Sequence, residues 1–187
     1  EISREKPLLY TVLRKDFDNH LVKLAEKTGA KIQTTTTVTD IHHHTDHVEL
    51  ELDNKETLTT NLVIGADGAR SFIADKTGLR NNHNEICRCL VTEEPLPPKE
   101  IEKVYSKKRS ISLYIKTQGI AGYGWVFPKK AHVNIGIGEF ESALPPGNGR
   151  TNLNTSFSNF IEELIKDKGL PSDFKPSNIK GGTLPIF

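Results

Sequence analysis

A chain of 187 residues, 35% hydrophobic and 26% charged, is long enough for one domain or one and a half and has the balance of a rather polar globular protein. A net charge of +1 removes any electrostatic case for nucleic acid, and no apolar run approaches a membrane span or a signal peptide. Cys87 and Cys89 make no disulfide framework and point to a reducing, cytoplasmic setting. The chain contains no Met, begins at Glu1 and stops at Pro185-Ile186-Phe187 in mid-pattern, so it reads as a piece of a longer protein.

Leu8 to Leu13 is a short apolar strand candidate. A helix follows, because Phe17, Leu21, Leu24 and Ala25 recur at helical spacing, with Asp16 as N-cap and Gly29 as stop. Lys31 to Thr39 is β-branched and alternating. It reads as a strand lying parallel to the first through a strand–helix–strand unit. His42-His43-His44 with His47 invites a metal reading. On a strand His42 and His44 face one way and His43 the other, and no partner set completes a known ligand frame, so a solvated strand or turn is expected and no metal. Asp46 to Leu52 and Glu56 to Thr60 form a hairpin around Asp53-Asn54-Lys55.

Leu62-Val63-Ile64 is a continuously apolar run of the kind found in buried parallel strands. It leads into Gly65-Ala66-Asp67-Gly68-Ala69-Arg70-Ser71 and a short helix, Ala69 to Lys76, ended by Gly78. Gly65 and Gly68 permit close backbone approach of a ligand, and the helix start offers N–H groups to phosphate oxygens. Asp67 is an acceptor for ligand hydroxyls at the carboxyl end of a strand. The same run is also a plain turn between strand and helix.

From Glu85 the texture changes. Strands are predicted at Ile86 to Val91, Ile101 to Tyr105, Ile111 to Ile115, Tyr123 to Phe127 and His132 to Gly138, separated by polar turns and by the Pro-rich Glu94 to Pro98. Strands in succession without helices argue an antiparallel sheet. Cys87 and Cys89 share one face of the first strand and read as buried thiols. Tyr123, Trp125 and Phe127 line one face of their strand, Pro128 ends it, and Gly136 and Gly138 form a bare floor beside the rings. An aromatic wall over a glycine floor fits a flat or long apolar ligand; an ordinary hairpin with an aromatic core face fits the same pattern. After Pro145-Pro146-Gly147 a helix spans Asn152 to Lys168, with Leu153, Phe157, Phe160, Ile161, Leu164 and Ile165 on one stripe, stopped by Gly169-Leu170-Pro171. Ser177 to Thr183 is a last strand.

Three signatures, in order, carry a family resemblance. Tyr123-x-Trp125-x-Phe127-Pro128, seven residues, then Gly136-x-Gly138 resembles the substrate-site box of the geranylgeranyl reductase family of FAD-dependent oxidoreductases, within the p-hydroxybenzoate hydroxylase-like superfamily. Asp67-Gly68 and Ser71 resemble that superfamily's second flavin fingerprint, although Ala74 stands where an Arg is frequent. Arg14 with Phe17-Asp18 resembles the signature opening the family's helix, whose Arg lies near the flavin; the bland alternative for Arg14 is a surface salt bridge. Gly181 to Pro185 resembles the bend before the final flavin motif. The Gly-x-Gly-x-x-Gly pyrophosphate turn and the closing Gly-Asp segment are not in this sequence.

The resemblance implies an internal fragment of α/β character, α+β overall. Residues 1–84 would supply part of a Rossmann-like FAD-binding domain and residues 85–187 an antiparallel substrate-binding sheet covered by a helix. It implies FAD bound by the full-length protein through Arg14, Asp67, Gly68 and Ser71, with NADPH or another reductant as electron donor. It implies a prenyl lipid substrate lined by Tyr123, Trp125, Phe127, Pro128, Gly136 and Gly138, whose double bonds are reduced by hydride from reduced flavin. The proton donor is not identified; Tyr123 is a candidate by type. A cytoplasmic protein meeting the membrane surface is expected, completed by N- and C-terminal parts of its own chain and inactive as this fragment alone. A flavin monooxygenase, a quinone-linked flavoprotein or a non-enzymatic lipid-binding module are the alternatives.

Overall fold

The computed structural model describes residues 6–80, 85–143 and 151–186. It divides into two compact units, Val12–Asn84 and Glu85–Phe187, the latter joined by the leading residues up to Thr11. The Pro145-Pro146-Gly147 segment and Phe187 lie outside the described residues.

In the unit Val12–Asn84, helix α1 (Arg14–Lys27) starts from Leu13 without a side-chain cap. Asp16, expected as the cap, sits instead in the first turn, where its charge complements the helix dipole. Gly29 stops the helix as expected, at φ +97°, and Ala30 N–H closes onto the Ala25 carbonyl at 3.1 Å. Strands β1 (Val38–His43), β2 (Val48–Leu52) and β3 (Thr57–Thr60) form an antiparallel sheet in that order. The Asp53-Asn54-Lys55 turn joins β2 to β3, with Lys55 at φ +68° and Asn54 Oδ1 accepting from Glu56 N–H at 3.0 Å. Helix α2 (Phe72–Lys76) begins at Ser71, and Gly78 ends it at φ +69°.

The parallel strand–helix–strand unit is a correction. Leu8 to Leu13 and Leu62 to Ile64 are not strands, and the Lys31–Thr39 run becomes one only from Val38. A strand exists by satisfying its backbone groups on a neighbour. Among the described residues no ladder reaches these runs, and Leu62 and Ile64 stand 73% and 82% exposed.

The second unit is built on β4 (Glu85–Pro95), β5 (Ser112–Ile115), β6 (Gly122–Pro128), β7 (His132–Phe140) and β8 (Ile179–Ile186). They form one sheet in the order β5-β6-β7-β4-β8, every pairing antiparallel. Ile101–Tyr105, expected as a strand, lies in helix α3 (Pro98–Tyr105). Pro97 and Pro98 suit a helix start, and Ile101, Val104 and Tyr105 then fall at helical spacing on its buried side. The Gly181 to Pro185 run, expected to bend, is extended strand in β8, with Gly182 opposite Cys89 and Pro185 opposite Ile86. Proline is tolerated there because β8 is an edge strand.

Helix α4 (Leu153–Lys166) is capped by Asn152, whose Oδ1 accepts from the Asn154 and Thr155 N–H groups at 3.1 and 3.3 Å. Its Phe157, Phe160, Ile161 and Leu164 are buried with Ile101 and Tyr105 of α3 against Val126, Val133, Ile135 and Ile137. Gly124 allows the approach, since a Cβ there would lie 2.7 Å from Phe160 Cζ. Two buried acids tie the sheet together. Glu139 is held by Arg88 and Thr151, and Glu94 accepts from Thr92 and from Ser177 N–H and Oγ at 2.6 and 2.7 Å. The helix-covered face therefore carries the stability. Phe160→Ala should lower the unfolding free energy in a urea titration by about 3–5 kcal/mol, while Leu113→Ala, 54% exposed on the other face, should change it by no more than about 0.5 kcal/mol.

Candidate functional site

Alternation along the sheet decides what the aromatic residues face. Trp125 pairs with Gly136, Tyr123 with Gly138 and Phe127 with Asn134, and paired residues share a face. The core holds Val126, Ile135 and Ile137, so Tyr123, Trp125 and Phe127 point to the opposite side. They are half-buried and form a row with Phe140. Ring centroids lie 6.1 Å apart from Phe127 to Trp125, 5.8 Å from Trp125 to Tyr123 and 6.0 Å from Tyr123 to Phe140. Leu113 and Ile115 of β5 and Leu184 of β8 extend this apolar face outward. Pro128, expected with the wall, is instead fully buried on the core face, because the alternation that turns Phe127 outward turns its neighbour in.

The glycine floor is present but already covered. A Cβ on Gly136 would lie 2.1 Å from Trp125 Cζ2, so the indole rests flat across that backbone. At Gly138 a Cβ would meet Cys87 Sγ at 2.9 Å and Cys89 Sγ at 3.2 Å. The two thiols are buried, 3.6 Å apart. Burial pushes the Cys89 thiol up to about 12 and raises the Cys87 thiol and the Tyr123 phenol as well. All three are protonated at neutral pH and stand as neutral donors beside the wall.

The indole is fixed at its polar edge. Trp125 Nε1–H donates to Asn134 Oδ1 at 2.8 Å, Asn134 Nδ2 donates to Glu93 Oε2 at 3.2 Å, and Lys129 Nζ donates to the same oxygen at 2.5 Å. Asn134, Glu93 and Lys129 were not among the site residues expected from the sequence. Their signal was available in part, since Asn134 shares the parity of Gly136 and Gly138 and is the polar member of that row.

In the other unit, the Asp67–Ser71 turn is closed by its own side chains. Ser71 Oγ–H donates to Asp67 Oδ1 at 2.5 Å and accepts from Ala74 N–H at 2.9 Å, and Asp67 Oδ2 accepts from Ile73 N–H at 3.1 Å. The Ser71 hydroxyl first, then the Ile73 N–H, hold the Asp67 carboxyl below the usual carboxylate range. These bonds also occupy N–H groups that the sequence left free for a phosphate. Gly65 is packed, with a Cβ position 3.0 Å from Ile73, whereas Gly68 sits at φ +84° with nothing within 4 Å of its missing Cβ. An ionised acceptor beside a bare, left-handed glycine suits the approach of a polyhydroxylated ligand such as FAD. Arg14 is engaged on the surface of α1, donating to both Asp18 oxygens at 2.9 to 3.1 Å.

Residues 3–152 match the family described as FAD binding domain. The digeranylgeranylglycerophospholipid reductase of Methanocaldococcus jannaschii is 32% identical over 192 residues, covering 99% of this chain and 45% of that protein. The protein of the same name from Methanococcus vannielii is 34% identical over 142 residues, 72% of this chain and 34% of that one. The chain thus spans less than half the length of these curated relatives. Among solved structures, the halogenase PltM in complex with phloroglucinol and FAD superposes with a TM-score of 0.64 at 19% identity, over 92% of this chain and 37% of that one, a likeness of fold. The match over residues 3–152 places the chain in the FAD-binding domain family of flavoproteins.

Proposed function

We propose that the protein to which this chain belongs is a flavin-dependent reductase of prenyl-lipid double bonds, with NADPH or another reductant as its electron source. The observation that carries the reading is the row of rings Phe127, Trp125, Tyr123 and Phe140 on the sheet face away from the helical core. The names of the relatives support a geranylgeranyl chain as the group that meets it. The four residue steps of extended strand from Tyr123 to Phe127 span roughly 13 Å, a length suited to several isoprene units and longer than a single aromatic substrate requires.

The chemistry a bound, reduced FAD supplies is hydride delivery to an alkene carbon. The chain's own residues do the rest. Asp67 and Gly68 fit the rim of the cofactor, as an exposed anionic acceptor and an open backbone position. Phe127, Trp125, Tyr123 and Phe140 hold the apolar chain and exclude water, so that binding of remote isoprene units orients the reacting bond. Asn134, through Glu93 and Lys129, keeps the indole in one orientation. Tyr123 keeps its O–H at the wall, protonated at neutral pH, and is a candidate by residue type alone for the proton that the second alkene carbon takes up.

Three variants of the full-length protein test these roles. Trp125→Phe should keep thermal stability and flavin content and lose turnover of a geranylgeranyl lipid; normal turnover with normal flavin would remove the channel. In Gly136→Ala the new methyl collides with the indole, so Trp fluorescence should shift, turnover should fall and stability should drop by about 1–3 kcal/mol. Asp67→Ala should weaken FAD retention by about tenfold or more, the loss expected for one charged-group hydrogen bond, read from flavin absorbance after gel filtration. Retention equal to wild type would sink the cofactor assignment for Asp67.

A further inference from the structure

The β1–β2 hairpin has two unlike faces. Its register pairs Ile41 with Leu50, His42 with Glu49 and His43 with Val48, and His44 N–H donates to the His47 carbonyl at 2.9 Å to close the turn. One face holds the buried Ile41, Val48 and Leu52. The other gathers His42, His44, His47, Glu49 and Glu51. The sequence placed His42 and His44 together but gave no partner; the hairpin supplies one from the returning strand.

At the tip, His44 and His47 stack with ring centroids 4.4 Å apart and planes 15° from parallel. One donor atom from each of His44, His47 and Glu49 falls within 4.8 Å of the others. Asp46 Oδ1 lies 2.7 Å from His47 Nδ1. With Nδ1–H donated to that carboxylate, Nε2 is the ring atom left to ligate, the arrangement of a carboxylate-supported metal histidine. His42 is engaged with Glu51 at 3.1 Å and stays beside the cluster.

We propose that His44, His47 and Glu49 form a site for a zinc-class divalent cation, with Asp46 orienting His47 from behind. Two imidazoles and one carboxylate suit zinc, nickel or copper and are poor for magnesium, which wants oxygen alone. Bonds of about 2.1 Å in tetrahedral geometry put donor atoms roughly 3.4 Å apart. Closing to that spacing needs rotations of exposed or half-exposed side chains at a hairpin tip. Three protein ligands leave a coordination position for water or a fourth donor.

The test is calorimetric titration of zinc chloride into the full-length protein, free of any histidine tag, beside His44→Ala, His47→Ala and Asp46→Ala. All three positions lie at or beside an exposed turn, and an unchanged urea midpoint confirms that each variant is folded. Wild type should show saturable binding at micromolar zinc with one site lost, by at least about tenfold in affinity, in each His variant. Asp46→Ala should weaken the same site by about 10- to 100-fold. Magnesium chloride should give no saturable heat. Absence of saturable zinc binding in wild type, or identical isotherms for wild type and both His variants, would overturn the site.

Discussion

The contact on which the candidate substrate face depends is the indole of Trp125 lying across Gly136. Any side chain at 136 would occupy the volume of the ring, since even a Cβ would come within 2.1 Å of it. The pairing of these two residues in register fixes the neighbours as well: Tyr123 opposite Gly138, Phe127 opposite Asn134. With the indole down on the backbone, its Nε1–H edge reaches Asn134 and through it Glu93 and Lys129. One aromatic–glycine contact thus sets the plane of the wall and the direction of its polar rim. The glycines serve the ring first, and a ligand meets the indole rather than a bare backbone.

Strict alternation makes this arrangement compatible with a stable sheet. Val126, Ile135 and Ile137 enter the helical core while their immediate neighbours enter the wall, so the same strands serve both faces. The buried Glu139 and Glu94 anchor β7 and β4 from the helix side, paired with Arg88 and with the Ser177 and Thr92 donors. Buried charges left unpaired are strongly destabilising. The central strands are therefore held in register by groups that do not touch the wall, and the wall is free to be apolar and half-exposed.

The sequence disclosed the parts whose partners lie close along the chain. The β2–β3 hairpin, α4 with its stripe and the β6–β7 pair all depend on neighbours a few residues away or on one amphipathic pattern, and they were legible to within a residue or two. Which face the rings take was not legible from alternation alone, because either face of a sheet can be core. It became readable only when α3 and α4 were seen to claim Val126 and Ile135. Ile101 to Tyr105 misled because the run is short and sits among strands, although its three apolar positions, Ile101, Val104 and Tyr105, stand at helical spacing and the prolines ahead of it suit a helix start. The Leu62–Ile64 run has strand composition without strand structure, since composition supplies no ladder partner.

The exposed apolar residues of the unit Val12–Asn84 have one physical reading. Helix α1 buries none of its residues, and Phe17, Leu21 and Leu24 each remain 44 to 48% exposed. Leu62 and Ile64 stand out further still. An amphipathic helix and an apolar run of this kind are stabilised in water only when something covers them. The curated relatives are more than twice as long as the matched chain. The Asp67–Ser71 turn needs no such cover. Its hydrogen bonds among Asp67, Ser71, Ile73 and Ala74 are local, so the acceptor and the open glycine are held in place by the turn itself.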